Sequence, residues 1–118
     1  MTVRILITGS RTWDDDRTIR AVLESWRPAG GVLVHGGARG ADRIAAAIWS
    51  RWRLPTELHL PDWHRFGRAA GMVRNGEMVA AGADVCLAFI RGHSRGATHC
   101  AALAEQAGIT THRIRKDA

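Results

Sequence analysis

Three short segments carry residue types suited to holding an anion: Gly36-Gly37-Ala38-Arg39-Gly40-Ala41-Asp42, Gly9-Ser10-Arg11, and Gly92-His93-Ser94-Arg95-Gly96-Ala97-Thr98. In the first, the run Val32-Leu33-Val34-His35 leads into a glycine turn and then into helical spacing from Ala41. At such a strand-loop-helix junction the first amides of the helix point outward and the helix dipole favours negative charge. Glycine suits the turn because no Cβ shields those amides from a ligand. Arg39 adds a planar donor fork that matches phosphate. Ser10, Ser94 and Thr98 offer hydroxyl donors, with helix capping as their compatible alternative role. Arg11, Arg74, Arg91 and Arg95 are candidates for the rim, and solvated surface is the alternative for each. Asp42 either pairs with an arginine of the site or complements the dipole of its helix. Trp13 and Trp63 fall in loops beside the expected mouth, where an indole stacks on a base. The run Asp14-Asp15-Asp16 is read as a helix cap.

The spacing excludes several common chemistries. Around Gly36 there is neither G-x-x-x-x-G-K-[ST] nor G-x-G-x-x-G, so the stretch is no Walker loop and no dinucleotide fingerprint. Gly92 to Gly96 looks like a hydrolase elbow in form only. Too little chain follows it, with Asp117 and His99 or His112 alone left to supply acid and base. The six histidines and two cysteines show no metal-ligand spacing, so no metal and no cofactor is expected.

The elements that must position these residues alternate. Strands are expected at Val3–Ile7, Val32–His35, Pro55–Leu60, Ala83–Phe89 and Thr110–Ile114. Helices are expected from about Asp15, from Ala41 with a buried face running to Trp52, over Ala69–Ala81, and over Ala97–Ala107. The segment from Pro61 to Arg68 is polar and aromatic and reads as a loop over the site. Alternating β and α predicts an α/β fold: a Rossmann-like parallel five-stranded sheet, order 3-2-1-4-5, with helices on both faces. That order places the switch point between the first and fourth strands, where the glycine-bearing loops converge.

The chain has 118 residues and 46% hydrophobic composition, which predicts a single domain over residues 1–118. Seventeen Lys and Arg against eleven Asp and Glu give a formal charge of +6, which favours an anionic partner. No run is long and apolar enough for a signal peptide or a membrane span, so a cytoplasmic protein without a membrane partner is expected. Cys86 and Cys100 are expected to be buried and reduced.

Gly9-Ser10-Arg11, Gly36 to Asp42, Arg74-Asn75 ahead of Ala83-Asp84-Val85, and Gly96-Ala97-Thr98 occur in an order that resembles the SLOG superfamily. This Rossmann-like group holds the DNA-processing protein DprA/Smf and the LOG phosphoribohydrolases. The chain is most similar to its small YspA/YpsA-related branch, which occurs in phages and bacterial conflict systems. The resemblance implies binding of a nucleotide or nucleotide-derived ligand, and a homo-oligomer. LOG enzymes carry an arginine-lysine pair and a G-G-x-G-T-x-x-E pattern. Here Arg74 matches the arginine, Asn75 stands in place of the lysine, and His99-Cys100-Ala101-Ala102 follows Thr98 with no acidic residue.

The expected function is binding of a nucleotide or nucleotide-derived ligand, as a sensor or sequestering module, at the carboxyl edge of the sheet. The expected binding set is Gly9, Ser10, Arg11, Gly36, Gly37, Ala38, Arg39, Gly40, Asp42, Arg74, Asn75, Gly92, Ser94, Gly96, Ala97 and Thr98. One alternative is a LOG-like nucleotide N-glycosidase, in which Arg74 is the one catalytic candidate. The other is DprA-like nucleic-acid binding.

Overall fold

Parallel strands β1 (Arg4–Gly9), β2 (Val32–His35), β3 (Thr56–Leu58), β4 (Val85–Arg91) and β5 (Thr110–Lys116) form a sheet in the order β3-β2-β1-β4-β5. The computed structural model describes residues 2–117. The expected strand order and the Rossmann-like α/β architecture are both present. β1 and β4 lie side by side, paired from Ile5 with Val85 to Gly9 with Phe89. Their apolar runs are continuous because both faces are covered: Ile5, Leu6 and Ile7 are buried, as is β4 from Val85 to Ile90.

The helices are α1 (Asp16–Trp26), α2 (Ala41–Arg51), the single turn α3 (Trp63–Phe66), α4 (Ala70–Ala80) and α5 (Arg95–Gln106). Successive strand residues face opposite sides. Ile5, Ile7, Leu33, Leu87 and Phe89 therefore meet Ile19 and Leu23 of α1 and Ala45 and Ile48 of α2. On the other face Leu6, Val34 and Cys86 meet Met78 and Val79 of α4 and Cys100 and Ala104 of α5. Small residues bring α5 close to the sheet, Ala97 and Ala101 packing against Ala88 and Ile90. α1 starts where the aspartate run predicts, with Asp15 accepting from the Thr18 amide at 3.1 Å.

Three local expectations are corrected. The buried indole of α2 is Trp49, not Trp52, because the helix ends at Arg51 and Trp52 lies just past it. Trp49 Nε1 donates to the Gly31 carbonyl at 3.0 Å, which satisfies its one polar atom inside the core. The segment from Pro61 to Arg68 contains α3, because Asp62 Oδ1 caps it by accepting from the Arg65 amide at 3.0 Å. Trp13 does not stand at the mouth. It is 3% exposed and packs edge to face on Phe89 with ring centroids 5.5 Å apart, its Nε1 donating to the Asp15 carbonyl at 2.8 Å.

Candidate functional site

A cavity of about 400 Å3 opens at the carboxyl end of β1 and β4. Its wall draws on Thr8, Gly9, Ser10, Arg11 and Thr12 after β1, Ala38 and Asp42 after β2, and His93 to Ala97 after β4. Trp63 of α3, Arg68 of the 3-10 turn Gly67–Ala69, and Gly71, Met72, Arg74, Asn75 and Met78 of α4 close the other side. A shallower recess beside it, of about 560 Å3, is lined by Gly36, Gly37, Arg39, Arg43 and Leu60, and shares Arg11, Ala38, Trp63 and Arg74.

Four amides at the junction after β2 are already engaged, while among the described residues those of Arg39, Gly40, Asp42 and Arg43 meet no acceptor. Asp42 Oδ2 accepts from the Gly36 amide at 3.0 Å and from Ala38 at 3.4 Å. The Gly37 amide donates to His35 Nδ1 at 3.1 Å, and the Ala41 amide to the Ser10 carbonyl at 3.2 Å. The expectation that this junction turns its amides toward an anion is therefore corrected for these four residues, since a protein acceptor already holds each one. Asp42 makes no arginine ion pair; it lies in the first turn of α2, where it complements the dipole, and it also staples the loop. Ser10 is likewise committed, its Oγ accepting from the Arg91 amide at 2.8 Å.

The start of α5 borders the cavity directly. Ser94 makes no capping hydrogen bond, and among the described residues no acceptor meets the amides of Arg95, Gly96 or Ala97. A twelve-residue helix thus turns its unpaired N-terminal donors toward the cavity, beside the Ser94 hydroxyl and Arg95. The backbone of Ser94 is extended, with φ −135° and ψ 100°, rather than the strained turn of a hydrolase elbow.

Arg74 spans the floor. Its Nη1 donates to the Gly36 carbonyl at 2.9 Å and its Nε to Asn75 Oδ1 at 2.9 Å. Asn75 is buried and points its Nδ2 at the Gly96 carbonyl and at His99 Nδ1, both at 3.4 Å. Asp42 is 4% exposed. Burial pushes its carboxyl up to about 6, against the pull of the Gly36 and Ala38 amides and the charge of Arg74. Burial, then the charges of His59 and Arg74, holds the His35 imidazole below its ordinary value.

Of the expected set, Gly9, Ser10, Arg11, Ala38, Asp42, Arg74, Asn75, Ser94, Gly96 and Ala97 line the cavity. Gly36, Gly37 and Arg39 line the neighbouring recess. Gly40, Gly92 and Thr98 line neither. Gly40 packs against the carbonyls of Ser10 and Arg11, the Gly92 amide donates to the Lys116 carbonyl at 3.0 Å, and Thr98 is exposed. Arg91 is a clamp, its Nη1 donating to the Thr12 carbonyl at 2.7 Å. Arg68, Gly71, Met72 and Met78 were not expected in the site. With Asn75 they recur at three- and four-residue steps, a helical periodicity that was legible in the sequence.

Residues 3–66 match the model of the YAcAr family, described as the YspA, cpYpsA-related SLOG family. The chain belongs to this family. It is also 51% identical to the Gene 61 protein of Mycobacterium phage D29, over 90% of this chain and 91% of that one. The SLOG fold is shared with DNA processing protein A (DprA) of Streptococcus pneumoniae, at a TM-score of 0.63 and 13% identity. That match covers 94% of this chain but only 58% of DprA. Among the described residues, no helix is long and apolar enough to cross a membrane, and no cluster of three metal-ligating side chains occurs.

Proposed function

We propose that this SLOG chain binds a nucleotide or nucleotide-derived small molecule in the cavity between the loops after β1 and β4, as a sensor or sequestering module. The observation that carries this reading is the uncapped start of α5, whose free amides, Ser94 hydroxyl and Arg95 border the cavity with Arg11, Arg68 and Arg74. A phosphate group satisfies helix-start amides and arginine forks together. Membership of the SLOG family agrees with it. Thermal-shift screening of nucleoside mono- and diphosphates, ADP-ribose, NAD and cyclic nucleotides tests it. At least one should stabilise the protein, and Arg95→Ala should weaken that effect. No stabilisation by any of them would remove the proposal. Nucleic acid as the true ligand would show instead as binding that weakens steeply with salt.

A second reading is cleavage of an N-glycosidic bond by water. It has one specific support: Asp42 is the sole carboxylate in the cavity wall among the described residues. Glu105 is committed to Arg113 at 2.7 Å, and Glu77 lies outside the wall. Chromatography for free base after incubation with nucleoside monophosphates decides this reading.

A further inference from the structure

The cavity has a second pole. Both hydrogen bonds that Asp42 accepts from the loop arrive at Oδ2, leaving Oδ1 without a protein partner. No fully buried side-chain oxygen or nitrogen among the described residues lacks a partner, so Oδ1 is not sealed away. Asp42 lines the cavity, and Oδ1 is therefore an open acceptor on a side chain that is 4% exposed. Water meets such an acceptor in the free protein, and a ligand that displaces the water loses affinity unless it offers a donor of its own.

A bare phosphate cannot be that donor. A dianion carries acceptors and is repelled by a carboxylate, while the amides of α5 already provide a place for it. The ligand must therefore carry neutral O–H or N–H donors at some distance from its charge. With Trp13 in the core, Trp63 is the remaining indole at the cavity, 53% exposed at the rim. An aromatic base finds its stacking surface there, which leaves the sugar hydroxyls to meet the buried oxygen.

Resting on the nucleotide reading above, we propose that Asp42 Oδ1 accepts a hydrogen bond from the ribose 2′-hydroxyl of the ligand. The site thereby selects ribonucleotides over 2′-deoxyribonucleotides. A site built to bond a hydroxyl discriminates strongly against an analogue that lacks it, because its own polar group is then left unpaired.

The test is titration calorimetry with the four ribonucleoside monophosphates and their 2′-deoxy counterparts, on the wild-type chain and on Asp42→Asn. The asparagine keeps an oxygen for the Gly36 and Ala38 amides and turns only the free atom from acceptor to donor. The wild-type chain should prefer the ribonucleotide by about tenfold or more, which is about 1.4 kcal/mol. Asp42→Asn should bring that ratio close to one, since the loss of a negative charge acts on both sugars alike and only the hydrogen bond distinguishes them. Equal wild-type affinity for the two sugars overturns the inference while the nucleotide reading stands, and so does a variant that weakens both sugars equally. If no monophosphate of either sugar binds, the inference falls, and the nucleotide reading is decided by the wider screen above. The wild-type ratio needs no variant, so a misfolded mutant would not shelter the idea.

Discussion

Arg74 occupies the space that a side chain at Gly36 would need. The guanidinium donates to the Gly36 carbonyl at 2.9 Å, and a Cβ built on Gly36 collides with it. α4 thus holds the loop after β2 through a single side chain. Gly36→Ala should expel the guanidinium and lose that bond, and Arg74→Ala should lose the same bond from the other end. Each should cost about 1–2 kcal/mol in urea unfolding. The double variant should cost clearly less than the sum, because both changes remove one shared contact. Arg74→Lys should not restore stability, since one ammonium cannot reproduce the planar fork between Gly36 and Asn75. Additive losses would show that the two residues act independently.

Gly40 sets how closely the first two loops approach. Its φ is +86°, and an added Cβ would run into the backbone carbonyls of Ser10 and Arg11, which cannot swing aside as a side chain can. Gly40→Ala should therefore cost about 3 kcal/mol or more in chemical denaturation. Gly76 makes the contrast: it lies inside α4 with open space around it, so Gly76→Ala should add about 0.5–1 kcal/mol. Equal and small effects at the two glycines would contradict this account.

The sequence carried the sheet well because its strands are apolar runs bounded by glycine, and alternation with helices leaves few topologies. It carried the site less evenly. Gly36 to Asp42 and Gly92 to Thr98 look equally suited to an anion as residue types. What separates them is which amides are free at the cavity: Asp42, His35 and Ser10 take four at the first, while the start of α5 borders the cavity with the amides of Arg95, Gly96 and Ala97 unpaired. Such pairing depends on side-chain direction across elements, which periodicity does not encode. Trp13 was misplaced for a related reason. A loop position says nothing about Phe89, which lies far away in sequence and supplies the edge-to-face contact that draws the ring inward.

Cys86 and Cys100 should be chemically silent in the folded protein. Burial is the first cause pushing their thiols up, to about 12 for Cys86 and about 11 for Cys100. The thiolate is the reactive form, and both residues are buried. An aromatic disulfide reagent at pH 8 should label neither thiol natively and both in denaturant, with native labelling following global unfolding. Rapid labelling of either one would show that the α5 face of the sheet opens locally.

Asp42 should make the protein less stable as pH rises from about 4 to about 6. Its carboxyl moves from the ordinary 3.8 to about 6 in the folded chain, first through burial. In that window the folded state binds more protons than the unfolded state, so stability falls with rising pH and the cost is constant above about 6. The groups facing it are the Gly36 and Ala38 amides, Arg74 from α4 and Cys100 from α5, and none of these changes charge in that window. Other groups have the opposite sign: bonding to Arg4, then to His59, holds Glu57 at about 2, and burial holds the His35 imidazole down. Both lose stability as pH falls, so the whole-protein profile would hide the effect. The difference between Asp42→Asn and wild type isolates it, because Glu57 and His35 are common to both. Asparagine should be more stable than aspartate by about 3 kcal/mol at pH 7, and that advantage should vanish near pH 4. Thermal melts of both proteins across pH 4–8 read this directly, and a flat difference would mean that the carboxylate is solvated in the folded state.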